Sequence, residues 1–137
     1  MKKVKYGFGK NLSISYDEAL QKVPAALKEQ GFGVLTEIDV KATLKKKIDV
    51  DFRKYKILGV CNPPFAYKAL SAELEIGLLL PCNVVVYEDS SGKATVMVMD
   101  PVAIMTMVEN PDIQEVAGEV KARLEKAINS IDGHNDF

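Results

Sequence analysis

The feature that most constrains the fold lies near the end of the chain. From residue 111 to 131 the apolar residues Ile113, Val116, Ala117, Val120, Leu124, Ile128 and Ile131 recur three, four or one residue apart, with charged and polar residues between them. At 3.6 residues per turn that spacing draws one apolar stripe along a helix of about five turns. Asn110-Pro111-Asp112 supplies its start: a capping amide, a proline whose missing N–H costs nothing in the first turn, and a carboxylate suited to the positive end of the helix. A stripe this long needs a second layer to cover it, so the chain must supply a sheet or other helices for it to lie on.

The rest of the chain reads as that layer. Val4, Tyr6 and Phe8 alternate with Lys5, Gly7 and Gly9, the pattern of a half-buried strand. Ser15-Tyr16-Asp17-Glu18 is a capping box ahead of a helix with Ala19, Leu20, Val23, Ala26 and Leu27 inward; Pro24 should bend it and Gly31 should stop it. A second strand is expected over 32–40, then a short helix on Val40, Leu44 and Ile48. A third strand over 55–61 leads into Asn62-Pro63-Pro64, the start of a helix reaching about Glu75, with Ala66, Ala69, Leu70 and Leu74 inward. Leu78–Leu80 and Val84–Tyr87 form an apolar run in which Pro81 marks a break, a bulge or an edge. Asp89-Ser90-Ser91-Gly92 turns the chain into a hairpin partner over 94–99, and Asp100-Pro101 caps a short Met-rich helix. The tail from Asp132 should fray. The expected fold class is α+β: a single domain over 1–137, with about five mainly antiparallel strands and helices packed on one face.

Composition narrows the function classes. In 137 residues, 18 Lys and Arg stand against 19 Asp and Glu. That balance argues against a protein held chiefly to nucleic acid or to an anionic membrane by charge. No apolar run approaches the roughly 20 residues of a membrane helix, and nothing apolar follows Met1-Lys2-Lys3 as a secretion signal would. Two cysteines in a chain able to build a core do not make a disulfide framework. The expected location is cytoplasmic, with neither nucleic acid nor membrane as partner.

Three runs carry a family resemblance: Gly31-Phe32-Gly33-Val34-Leu35-Thr36-Glu37-Ile38-Asp39-Val40-Lys41, Tyr55-Lys56-Ile57-Leu58-Gly59-Val60-Cys61-Asn62-Pro63, and Leu79-Leu80-Pro81-Cys82-Asn83-Val84-Val85-Val86-Tyr87-Glu88. Met99-Asp100-Pro101 follows them in order. Over nearly its whole length the chain resembles the domain of unknown function 302 family. The resemblance implies a small bacterial or archaeal α+β domain that tends to form homodimers, and it implies no established activity. Pro24 departs from the family pattern.

Several residue groups could carry chemistry. Cys61 precedes a helix start, where amides and the helix dipole favour a thiolate, and Cys82 follows Pro81 at a strand entry. Both are followed by Asn. A thiol pair suits redox exchange, persulfide handling or a soft metal, and the bland reading is two buried small side chains. Met97 with Met99 and Met105 with Met107 suit Cu(I) or plain core packing. Glu37, Asp39 and Asp100 could hold a hard cation or serve as helix-end partners. Residues 41–56 hold seven cations against two carboxylates, an anion-binding stretch or a solvated basic face. His134, the one histidine, lies too near the terminus to anchor a catalytic couple, and Gly7 and Gly9 form no phosphate loop.

The functional expectation is a homodimeric small-molecule-binding module. Its pocket lies near Cys61, Asn62, Cys82 and Asn83 and takes a small anionic or thiol-bearing ligand drawn by exposed helix-start amides. The alternatives are a thiol-based redox or sulfur-handling enzyme or carrier using Cys61 and Cys82, and an interaction protein with no ligand. No metal is assigned. The cofactor is unknown, whether the chain is an enzyme is left open, and the dimer surface is expected at a strand edge around Val84–Tyr87.

Overall fold

The structure, a computed structural model, describes residues 1–132. Its elements are β1 (Lys2–Val4), β2 (Gly7–Asn11), α1 (Tyr16–Glu29), β3 (Gly33–Asp39), α2 (Val40–Ile48), β4 (Tyr55–Cys61), α3 (Pro63–Ala72), a 3-10 segment (Leu74–Leu79), β5 (Cys82–Glu88), β6 (Ala94–Met99), α4 (Pro101–Met105) and α5 (Pro111–Ser130). The strands form one sheet of order β1-β2-β6-β5-β4-β3, antiparallel at every pairing. The α+β expectation holds, with six strands instead of five. The extra strand arises because the run through Val4, Tyr6 and Phe8 is not continuous. Val4 pairs with Gly7 across a two-residue turn, which leaves Tyr6 67% exposed at its tip.

Period-2 alternation sends Phe8, Leu58, Val60, Val84, Val86, Val96 and Val98 to one face of the sheet. There they meet Ala19, Val23 and Leu27 of α1 and Val120, Leu124 and Ile128 of α5 in a single core cluster. Each fully buried Leu, Ile or Val in it contributes roughly 1.5–3 kcal/mol. The α5 stripe is buried as its spacing requires, with Val116 only half-buried. No helix among the described residues is long and apolar enough to cross a membrane.

Three local expectations are corrected by their surroundings. The strand edge at Val84–Tyr87 does not exist: β5 lies between β4 and β6, so its backbone groups are taken on both sides and Val84 and Val86 are fully buried. The edges are β1 and β3. The third helix ends at Ala72, and Leu74, expected inward, is 78% exposed in the 3-10 segment that carries the chain to Pro81. Helix α2 fully buries none of its residues: along its stripe Val40 and Leu44 are half-buried and Ile48 is 63% exposed. Pro24 is carried inside α1, which runs unbroken from Tyr16 to Glu29.

Asp132, where fraying was expected to begin, is buried and fixed. Its carboxylate accepts from the Ser13 backbone N–H at 2.8 Å and from Ser13 Oγ at 2.7 Å. The rest of that tail, with His134, lies outside the described residues.

Candidate functional site

The chain's local signals converge where β4 runs into α3 and β5 begins. Helix α1 ends in a Schellman motif: Phe32 N–H donates to Leu27 O at 3.0 Å and Gly31 N–H to Lys28 O at 3.0 Å. Gly31 takes a φ of +88°, open to glycine at no cost, and a Cβ there would stand 2.8 Å from Asn62 Nδ2. This tight reversal turns Phe32 inward. Across from it, Asn62 occupies the N-cap position of α3 but makes no capping bond; its Nδ2 donates instead to Gln30 O at 3.3 Å. The amide therefore clamps the end of α1 to the start of α3.

Behind this clamp, α3 and α5 face each other through small side chains, Ala66 and Ala69 on one and Ala117 on the other. Alanines cannot fill the space between two helices, and a cavity of about 310 Å³ remains. It lies between the main core and a satellite cluster of Ala69, Ile76, Met105, Ile113 and Ala117. Phe32, Phe65, Val120, Leu80 and Pro101 close much of the wall. Asn62 is the one lining residue with a polar group other than a thiol.

Both candidate cysteines line this cavity. The two thiols share one corner of it, close enough for Cys61 to act on Cys82. Burial pushes the Cys61 thiol above its ordinary value. Burial, with a smaller push from Cys61, raises Cys82 to about 11. The thiolate expected at the helix start is disfavoured for a structural reason. The first two residues of α3 are Pro63 and Pro64, which have no N–H to offer an anion. At neutral pH the corner presents two thiols, an apolar surface. Asn83, the fourth expected site residue, alternates to the other face of β5, is exposed and does not line the cavity.

The remaining candidates disperse. Asp39 caps α2 by accepting from Ala42 N–H at 2.9 Å. Asp100 caps α4 through Val102 N–H and Ala103 N–H and pairs with Lys121 at 2.9 Å. Met105 lies in the cavity wall while Met107 is exposed. Among the described residues no group of three or more His, Cys, Asp or Glu could hold a metal ion. The basic stretch spends much of its charge locally: Lys45 pairs with Asp49 and Asp51, Lys41 donates to Phe52 O, and Arg53 donates to Glu88 O. Phe65 was absent from the sequence reading of the site. Its place one residue before the inward Ala66 on α3 is the local feature that puts it beside the wall.

The family model described as "Domain of unknown function DUF302" matches residues 8–131. The chain belongs to this family. The match spans every residue of the cavity and begins inside β2, so β1 lies ahead of it. A crystal structure described as an uncharacterized conserved DUF302 protein from Bacillus stearothermophilus is similar, at 30% identity and a TM-score of 0.85. The likeness covers 92% of this chain and 98% of that one, so the DUF302 fold is present whole. Among curated proteins none matches the chain.

Proposed function

We propose that this DUF302 protein is a small-molecule-binding module whose guest occupies the α3–α5 cavity beside Cys61, Asn62 and Cys82. One observation carries the reading: a space of about 310 Å³ with an almost wholly apolar wall and a single amide, set between the main core and its satellite cluster. Sites for small ligands have this character, apolar walls with a few placed polar groups and volumes of roughly 300–1,000 Å³. The two thiols enter as wall. Held neutral by burial, they give the guest polarizable surface, and they favour this reading over a thiolate enzyme. The cheapest probe is toluene, a neutral ring, added to uniformly labelled protein and followed by NMR. Saturable shifts confined to amides around Cys61, Phe65 and Ala117 are the expected result. No saturable shift, or shifts scattered over the surface, would count against the cavity as a site.

A second reading, a homodimer, is favoured by the sheet face turned away from the core. Ile38, Ile57, Val85 and Met97 lie side by side in one register row across four strands. Tyr55 and Tyr87 stack next to that row with ring centroids 5.5 Å apart. A second copy offers the same row under a two-fold axis. Light scattering at micromolar concentration should give twice the chain mass, and Val85→Lys should halve it. A wild-type monomer would remove this reading.

A further inference from the structure

We infer that the guest is an amphipathic anion, with an apolar tail in the cavity and an acidic head at its rim between Lys68 and Arg123. The inference rests on the cavity being a binding site and adds the chemical class of what it takes.

The cavity wall itself has no cation, so an anion cannot be wholly inside. Next to one wall residue the chemistry is different. Phe65, a wall residue, has the Lys68 ammonium 5.7 Å and the Arg123 guanidinium 5.2 Å from its ring centroid. Lys68 stands on α3 three residues after Phe65. Arg123 stands on α5 one turn beyond Val120, the last wall residue of that helix. Two helices that enclose the cavity thus each bring a cation to the same aromatic. Arg123 also donates to Gln30 O at 3.5 Å, the carbonyl that accepts from Asn62 Nδ2. The guanidinium is therefore tied to the same point as the one amide of the wall.

Neither cation is neutralised. Among the described residues Lys68 and Arg123 make no ion pair, although Glu119 stands one turn before Arg123 on α5, a spacing at which Glu and Arg commonly pair. The fork of Arg123 matches a carboxylate or phosphate bidentately, and Lys68 adds a second point charge. Length follows from volume. With a methylene taken at about the ~30 Å³ share of a water, about 310 Å³ holds a tail of roughly six to ten carbons. Each carbon buried should tighten binding about threefold to fourfold until the space is full.

The test compares octanoate with 1-octanol, equal tails with and without charge, by calorimetry on the intact protein. Octanoate should bind at least tenfold more tightly than octanol at low salt, and added salt should erode that advantage. The double variant K68Q/R123Q should lower octanoate to the level of octanol while leaving octanol unchanged, which also shows that the variant is folded. Equal affinity of the two probes for the wild type, or octanoate binding untouched in the double variant, would overturn the acidic head and leave the cavity reading standing. Failure of both probes to bind would overturn the cavity reading with it. Hexanoate and decanoate complete the series. A flat dependence on length would mean that the tail lies on the surface and would sink the inference as well.

Discussion

Replacing Ala117 by Leu should stabilise the protein, which is unusual for an enlargement at a residue only 4% exposed. Ala117 projects from α5 into the cavity wall. The substitution adds three carbons, about 90 Å³ at ~30 Å³ each, under a third of the space of about 310 Å³. Three carbons removed from water are worth about 2.4 kcal/mol at ~0.8 kcal/mol each. Ordering the leucine rotamer costs ~0.5–1 kcal/mol. The expected net is a stabilisation of about 1–2 kcal/mol, or roughly 4–8 °C in Tm for a chain of this size. Urea unfolding followed by circular dichroism measures it, provided the slope m is unchanged. Ala19→Leu is the control: Ala19 is fully buried in the closed core and lines no cavity, so the same enlargement there should cost ~1–3 kcal/mol. If Ala117→Leu destabilises as much as Ala19→Leu, the space between α3 and α5 is not available and the reasoning fails.

Other consequences can be measured in the same way. An unfolded Cys82 ionises near 9.0 and the folded thiol at about 11; between those values the native state holds a proton that the unfolded chain has released, so stability falls as pH rises. The loss amounts to about 2 kcal/mol at pH ~11 and levels off below ~3 kcal/mol above it, and Cys82→Ala should flatten the curve of stability against pH over that window, whereas parallel curves would contradict the assignment. Gly31→Ala forces a Cβ into a left-handed turn and against Asn62 Nδ2 at 2.8 Å. It should cost about 1–2 kcal/mol in urea unfolding and broaden the Asn62 side-chain amide signals, and an unchanged midpoint would show that the clamp is dispensable. Asp132→Ala removes the acceptor of Ser13 N–H and Oγ and should cost about 1.5–3 kcal/mol, which an unshifted midpoint would refute.

The elements were legible wherever local chemistry and tertiary need agree. Ser15 with Glu18, Gly31, Asn110-Pro111 and the α5 stripe each state a helix end or face in the sequence, and each is realised. Failures came where a residue's partner lies far along the chain. Val84 and Val86 look the same in an edge strand as in a central one, and only the insertion of β5 between β4 and β6 decides which they are. Leu74 reads as inward by period, yet the helix stops before it and it is exposed. At the site, Cys61, Asn62 and Cys82 were legible as a group because strand ends and helix starts gather there. Their electrostatic character was not, because burial outweighs a helix start that has two prolines in place of amide donors. Asn83 was misplaced by one residue of pleat. Lys68 and Arg123 carried no local signal, since their meeting over Phe65 requires α3 to lie beside α5.

The sheet order also sets the sequence of events as the chain emerges from the ribosome. β2 has β1 on one side and β6 on the other, and its neighbour β6 is made roughly eighty residues later. At ~5–20 residues per second, the first hairpin waits roughly 4–16 s before the strand that joins it to the sheet has been synthesised. Ser13 waits longer still, for Asp132. The β1–β2 hairpin, made well before its partner strand, is therefore among the last of these strands to dock, and until then its strand edge lies open to pairing with other chains.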